Sequence, residues 1–255
     1  AAASFSLFGG NAVVGLNPDL SDCAFNSGSS NSAIWNITGG GIFSNGCANS
    51  KKISSVDLNG KCVKCVTAVG TAQTFDDCIN SNQTSSKINY PDDVLAIMPP
   101  NPCLAGGIGK VQPAPSGGKV NLKNGVYCIT DFDVYDSNDI ILSNATMYVT
   151  DTIFKLQFSG GGFSGTATTD AGPYKGYYMI IAYDPSSNIA TSSPCTDFNS
   201  NNSQVIQYRG NGSGNPSGTI LVPSACIEYR GNSEEDSENS QIIGYMVSSN
   251  GNASV

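Results

Sequence analysis

The densest group of residues that could do chemistry is an acidic run with aspartates at Asp131, Asp133, Asp136 and Asp139. Polysaccharide-active enzymes use paired carboxylates as acid and base, and Ca²⁺ favours several oxygen ligands. In an extended strand, Asp131 and Asp133 would lie on the same face. The run is also typical of an acidic turn between strands, which is the interpretation we favour. Calcium binding is the first alternative and catalysis the second.

Catalytic partners for these carboxylates are missing from the sequence. Histidine is absent, so the usual base of a nucleophilic triad is lacking. A second acidic cluster, 234–238, is simplest as a solvated loop, and the glycines at 160–162 lack the Lys-Ser/Thr of a phosphate loop. We therefore predict no catalytic residues, no enzymatic activity and no cofactor, with calcium as the one ion considered.

Cysteine is the other reactive residue type. The nine cysteines are Cys23, Cys47, Cys62, Cys65, Cys78, Cys103, Cys128, Cys195 and Cys226. The single CxxC at 62–65 lacks the second pair that a four-thiolate zinc site requires, so disulfides formed in an oxidising compartment are favoured. Cys103 with Cys128 is the first pair expected, and Cys23 with Cys47 the second. An odd number leaves one thiol free or bonded to another chain.

Composition indicates which elements must carry these residues. Only 13% of residues are charged, and Gly (29) and Pro (12) are frequent, which favours short strands and tight turns over helices. The net charge is −8, with 12 scattered basic residues. Nucleic acid is therefore not an expected partner. Because no apolar stretch reaches ~18 residues, membrane insertion is not expected either.

A short repeat indicates the architecture. Gly-Asn-small turns recur at Asn211, Asn232 and Asn252, at intervals of 21 and 20 residues. Short β-prone segments lie between these turns, and a short strand with one apolar side is buried only by stacking on equivalent strands. The pattern predicts an all-β, right-handed parallel β-helix-like solenoid with coils of about 20 residues. A β-sandwich is the alternative.

The same pattern continues upstream, where 124–125 and 144–145 separate apolar segments. The segment 91–118 is rich in Pro and Gly and is interpreted as a long excursion. We therefore divide the chain into an N-terminal β region with a possible assembly segment (1–90), the excursion (91–118) and a β-helical repeat region (119–255).

Asn-x-Ser/Thr sequons and aromatic residues mark candidate surface features. The sequons lie at Asn36, Asn82, Asn144, Asn201, Asn211 and Asn252, and they are compatible with surface glycosylation. Eleven tyrosines could stack on sugar rings from a sheet face, although core stacking or a subunit contact is the more frequent role of such residues.

Three segments resemble the C-terminal half of TadG-like proteins: 218–225 (GTILVPSA), 229–233 (YRGNS) and 241–247 (QIIGYMV). Two further segments, 39–45 (GGGIFSN) and 124–128 (NGVYC), resemble earlier parts of the same family. The resemblance touches most of the chain and is dense over about forty residues. It implies a cell-surface structural or adhesive role associated with tight-adherence (Flp) pilus systems, and it supplies no catalytic residues. Members of that family usually carry an N-terminal membrane helix. Here we expect that helix to have been removed, or the chain to be a released relative.

These features lead to three functional hypotheses. The first is a secreted structural subunit of a cell-surface filament, sheath or pilus-like assembly, self-associating as a homopolymer through open β ends. In particular, the chain stops inside a repeat, which predicts an open C-terminal edge. The second is a surface adhesin or glycan-binding module, and the third is a polysaccharide-active β-helix enzyme.

Overall fold

A computed structural model describes residues 7–27, 35–38, 40–50, 55–57, 66–73, 79–112, 118–136, 138–151, 154–170, 172–184, 204–209, 213–231, 234–235 and 240–251. Its strands are β1 Val13–Gly15, β2 Cys23–Ser27, β3 Asn36–Thr38, β4 Ile42–Ser44, β5 Cys47–Ser50, β6 Ser55–Asp57, β7 Val66–Ala68, β8 Ala72–Gln73, β9 Ile79–Asn80, β10 Lys110–Val111, β11 Lys119–Ile129, β12 Asp139–Val149, β13 Phe154–Phe158, β14 Phe163–Thr166, β15 Tyr177–Ile181, β16 Gln204–Tyr208, β17 Ser213–Ser217, β18 Thr219–Gly231, β19 Glu234–Glu235 and β20 Gln241–Gly251. The helical elements are α1, Asp92–Leu95, and short 3-10 turns at Leu7–Gly10, Thr84–Ser86 and Phe132–Tyr135.

The strand pairing is parallel throughout the described residues. One large sheet contains strands from both ends of the chain, and β3 pairs with β6 separately. The predicted spacing occurs in several pairs: Lys119 aligns with Asp139, and Cys226 aligns with Met246, twenty residues on in each case. The prediction of an all-β fold with parallel strands is confirmed.

The pairings form three rows of strands. Row A contains the first parts of β11 and β12, then β14, β17 and β19. Row B contains the second parts of β11 and β12, then β15, the first part of β18, the first part of β20, β1, β4, β7 and β9. Row C contains β13, β16, the second parts of β18 and β20, then β2, β5 and β8. Long strands therefore contribute to two rows.

Asparagine lies where β11 and β12 pass from row A to row B. Asn124 and Asn144 have φ of 53° and 55°, the left-handed conformation that Asn tolerates better than most residues. The Asn144 amide donates to the Asn124 side-chain oxygen (3.3 Å), and the Asn144 oxygen accepts from the Thr169 main chain (2.7 Å). These bends are the turns that the sequence predicted at 124–125 and 144–145.

Strand order differs from chain order in the middle of the sheet. β20 pairs with β18 on one side and with β1 and β2 on the other. The predicted open edge at the C-terminal repeat is therefore wrong for the described strand, because strands from the start of the chain pair with that edge. We call residues 13–83 the amino-terminal block and residues 119–251 the carboxy-terminal block.

A strap, residues 88–112, runs between the two blocks across the outer side of row B. Ile88 and Val94 pack in a cluster with Val14 of one block and Leu221 of the other. Further along, Pro100 accepts a hydrogen bond from the Tyr174 hydroxyl (2.7 Å), and a disulfide joins the strap to β11. The strap thus covers apolar side chains on the outside of row B.

The core fills the space between the rows with apolar and aromatic side chains. The Tyr208 and Tyr229 rings stack at 4.8 Å with an interplanar angle of 15°. Trp35 is fully buried and contacts Phe25 and Tyr229 edge to face. The core is continuous across the two blocks, so each block buries part of the other's apolar surface.

Candidate functional site

Asp131, Asp133 and Asp136 of the acidic run lie in the turn between β11 and β12, and Asp139 is the first residue of β12. Phe132 and Tyr135 are buried three residues apart in the 3-10 turn, which turns Asp131 and Asp133 to solvent. The interpretation that we favoured, an acidic turn between strands, matches the structure, and the shared strand face considered for catalysis is not formed. Burial of the aromatic pair determined the local backbone, and Phe132 packs on Phe154 at 4.9 Å.

The other two aspartates of the run bind neighbouring strands of the same chain. An Asp136 oxygen accepts from the Gln157 main-chain N–H (3.1 Å), and Asp139 forms an exposed ion pair with Lys119 (3.5 Å). Within the described ranges, no three carboxylates or thiolates are grouped as metal ligands. The four aspartates are thus not brought together as a calcium site.

Asp151 is a residue that the sequence analysis did not single out. Its carboxylate accepts a hydrogen bond from the Phe132 main-chain N–H. Burial raises its pKa to about 6, and the neighbouring charges of Asp131 and Asp133 also raise the pKa. The only sequence signal was its place in a turn dipeptide after β12, so its position beside the earlier turn came from strand stacking. Asp151 fixes the 3-10 turn against the next strand.

The structure contains the two disulfides that the sequence analysis ranked first. Cys23 is bonded to Cys47 and Cys103 to Cys128, with Cα separations of 4.2 and 5.7 Å. Cys226 is also disulfide-bonded, and none of the described cysteines is free. The remaining predicted positions, Cys62, Cys65, Cys78 and Cys195, lie outside the described residues.

The sequons and repeat corners are only partly described. Asn36 begins β3, and Asn82 is exposed with φ of 57°. Asn144 is half-buried, and its side chain is engaged at the row A to row B bend. Asn201, Asn211, Asn232 and Asn252 lie outside the described residues. The side chain of Asn82 is more accessible than that of Asn144.

The tyrosines do not form an open sugar-binding platform. All eleven are described, and each is buried or half-buried. Tyr208 and Tyr229 stack in the core. Tyr90, in the strap, packs on Tyr245 of β20 with ring centroids 5.3 Å apart. Burial raises the pKa of Tyr245 to about 12, with Asp22 and Asp19 adding to the rise. These rings contribute packing and hydrogen bonds.

A ladder of polar residues runs along row C. Its members, in spatial order, are Gln157, Gln207, Glu228, Ser248, Asn26, Asn49 and Gln73. The Glu228 carboxylate is 3% exposed and accepts from the Gln207 amide and the Arg230 guanidinium, both at 2.5 Å. A buried carboxylate requires such partners. The ladder links strands of both blocks and was invisible in the sequence because its spatial order differs from chain order.

Row A presents a flat face of mostly small polar residues. Asn121, Ile141, Ser164 and Asn215 are aligned on successive strands, and Lys123, Ser143, Thr166 and Ser217 form a second aligned line. Each of these residues is exposed or half-exposed. Aligned hydroxyl and amide groups on a parallel sheet offer hydrogen bonds at the strand spacing of about 4.8 Å.

The outer edge of β11 is an edge of the carboxy-terminal block that is largely unpaired among the described strands. Among described strands, only β10 pairs there, and it covers Tyr127 and Cys128 alone. Lys119 and Lys123 are exposed along this edge. The Lys110 amine donates to the Asn124 carbonyl, in the middle of β11 (2.7 Å). Lysines on an edge strand oppose pairing with another strand. This edge is therefore poorly suited to end-on stacking of a second copy.

The junction between the blocks is the largest contact that the sequence did not predict. Val13, Val14 and Gly15 of β1 align with 242–244 of β20. Main-chain N–H groups of Leu16 and Asn17 donate to Gly244 and Tyr245 at 2.9 Å. The Trp35 indole N–H donates to Ser249 at 2.8 Å. Backbone pairing and core packing both cross this boundary.

Comparison with known proteins identifies no relative of the chain. No protein-family description, curated protein or solved structure matches the chain. No helix among the described residues is long and apolar enough to cross a membrane. The rows, the junction and the disulfides are the structural features that bear on function.

Proposed function

We propose that this chain is a structural subunit of an extracellular filament, sheath or pilus-like assembly, built as a right-handed parallel β-helix. The observation that carries the proposal is the in-register parallel pairing of both blocks in one sheet. Three rows joined at bends, with repeated spacings near 20 residues, are typical of a β-helix. Antiparallel pairs, which a sandwich uses, do not occur among the described strands.

A stiff, inert body suits a structural role. The described residues bring together no group of metal ligands, and the buried carboxylate of Glu228 has both oxygens engaged. Two disulfides between described cysteines support secretion into an oxidising space. The resemblance to TadG-like proteins agrees with a surface location and stands as part of the proposal.

Electron microscopy of the producing cells tests the proposal. Gold-labelled antibody against the purified chain should decorate a surface polymer, and the purified chain should form the same polymer as its concentration rises. Decoration of isolated particles only, together with a chain that stays monomeric at high concentration, would count against a structural role.

A second function, surface adhesion through glycan binding, is favoured by the row A face. Its aligned Ser143, Thr166 and Asn215 side chains are open to solvent, and neutral polar groups suit uncharged polysaccharide better than charged ligands. Thr166→Arg should abolish glycan-array binding by the monomer, whereas Thr84→Arg in the exposed 3-10 turn Thr84–Ser86 should leave it unchanged. Equal binding by both variants would exclude row A as the binding face.

A further inference from the structure

The junction is held by contacts that do not depend on the two blocks belonging to the same chain. On the amino-terminal side, Trp35 packs between Phe25 and Tyr229 and bonds to Ser249. The Tyr245 hydroxyl donates to the Asn17 side chain (3.1 Å). These contacts are side-chain packing and strand pairing, so a second copy of the chain could make the same set.

A four-residue hinge, Thr84–Lys87, connects the amino-terminal block to the strap. All four residues are exposed, and three of them form a 3-10 turn. Just before the hinge, the Asn82 and Gln83 main-chain N–H groups donate to carbonyls of their own block at 2.8 and 3.0 Å. The hinge makes few contacts of its own, so it can extend without loss of packing.

Just after the hinge, Ile88 is held by both ends of the Asn45 amide, with distances of 2.8 and 3.0 Å. This clamp joins strap to block by hydrogen bonds and not by a covalent bond. The disulfide Cys23–Cys47 lies inside the amino-terminal block, and Cys103–Cys128 ties the strap to the carboxy-terminal block. Neither of these two bonds crosses the junction, and the third bonded cysteine, Cys226 of the carboxy-terminal block, has its partner outside the described residues.

We propose that copies of this chain associate by exchanging their amino-terminal blocks, so that β1 and β2 of one copy pair with β20 of the next. This inference rests on the proposed structural function and names its contact. Every junction contact between described residues is recovered in the exchanged form, so exchange costs little besides entropy. The hinge is short and exposed, and a short hinge under strain in the closed form favours exchange.

Exchange also gives a route to self-association that uses neither the outer edge of β11 nor an edge of β20. The lysine-bearing edge of β11 opposes stacking, and β20 is already paired on both sides. The pairing of β20 with β1 can pass from within one chain to between chains without exposing a new edge. The partner predicted is therefore a second copy of this chain.

Cross-linking in the full chain provides the test. Val14 aligns with Ile243 across the junction and with Phe43 inside the amino-terminal block. Adjacent parallel strands bring Cα atoms about 5 Å apart, within the range of a disulfide. The double variant Val14→Cys/Ile243→Cys reports on the junction. Val14→Cys/Phe43→Cys is the matched control, since its bond stays within one chain in either form.

The oligomeric fraction of each variant is oxidised and run on a denaturing gel without reductant. Exchange predicts covalent dimers and larger species from the junction pair and monomers from the control pair. Monomer bands alone from oligomers of the junction pair would overturn exchange while leaving a filament role intact. Absence of any oligomer from the parent chain at high concentration would instead argue against the structural function.

Hinge length gives a second readout that needs no substitution in the core. Deleting Ser85 and Ser86 strains the closed form and should raise the oligomeric fraction at least tenfold at equal concentration. Inserting Gly-Ser-Gly-Ser between the same residues should shift the chain toward monomer. Identical size-exclusion profiles for deletion, insertion and parent would overturn the exchange proposal, whatever is seen on cells.

Discussion

Replacing Ser249 by alanine should reduce the free energy of unfolding by about 2 kcal/mol, because it removes the acceptor of a buried indole N–H. Trp35 and Ser249 are both fully buried, and the indole nitrogen lies 2.8 Å from the serine oxygen. The serine hydroxyl also lies 3.3 Å from that of Ser27. The variant therefore leaves one buried donor unpaired and shortens a hydroxyl chain at the junction.

The magnitude follows from the cost of an unsatisfied buried group. Such a donor costs about 1–3 kcal/mol, whereas removing a hydrogen bond whose partners regain water costs about 1 kcal/mol. No water can reach Trp35 without opening the core around Phe25 and Tyr229. The larger cost therefore applies.

The assay is urea unfolding followed by the fluorescence of Trp35, the sole tryptophan, and by far-ultraviolet circular dichroism. Ser248→Ala is the matched control, one residue away on the same strand. The Ser248 hydroxyl is buried without a hydrogen-bond partner, so its removal should change stability by less than about 0.5 kcal/mol. Equal destabilisation by the two variants would refute the assignment of the Trp35–Ser249 bond.

Three further predictions concern other parts of the chain. The pKa of Asp151 is about 6 in the folded protein, above the value of 3.8 in the unfolded chain. Because the folded protein binds this proton more tightly, protonation of Asp151 stabilises the fold, and the full contribution is present below about pH 4. That contribution is lost as pH rises through 6. Asp151→Asn should then raise stability at neutral pH by about 1 kcal/mol, after allowance for partial exposure, and flatten the stability curve between pH 4 and 6 measured by chemical unfolding. Removing the strap disulfide with Cys103→Ser/Cys128→Ser should cost about 3 kcal/mol and lower the thermal unfolding temperature; an unchanged temperature would show that the strap is held by packing alone. Gly165→Ala should reduce the free energy of unfolding by about 3 kcal/mol, because φ is +90° and the added methyl would overlap a carbonyl oxygen of β12. Gly160 has open space around it, so the control variant Gly160→Ala should unfold at the same urea concentration as the parent.

The fold class was predictable because the local signals agreed with the tertiary arrangement. Asn124 and Asn144 were identified as turns from residue type alone, and both adopt positive φ at bends between rows. The alignment of Lys119 with Asp139 reproduces the predicted spacing. Each of these inferences depends on a local conformational preference combined with the need to bury one side of a short strand.

Contacts between distant parts of the chain were not predictable. The sequence gives no sign that β1 pairs with β20, since parallel partners leave no mark at a fixed spacing when they are more than 200 residues apart. The acidic turn at Asp131 and Asp133 was favoured from residue type, but its 3-10 form depends on burial of Phe132 and Tyr135 in the core. Asp151 was missed because its role likewise depends on a neighbouring strand.

The pairing of β1 with β20 has a consequence for biosynthesis. The ribosome completes the amino-terminal block long before it synthesises the strand on which that block docks. Until then, the unpaired backbone of β1 and the indole of Trp35 lack their native neighbours. Contacts of such long sequence separation form slowly and leave nascent chains prone to aggregation. For the proposed secreted protein, we therefore expect either that a holding factor acts on the nascent chain or that export precedes folding.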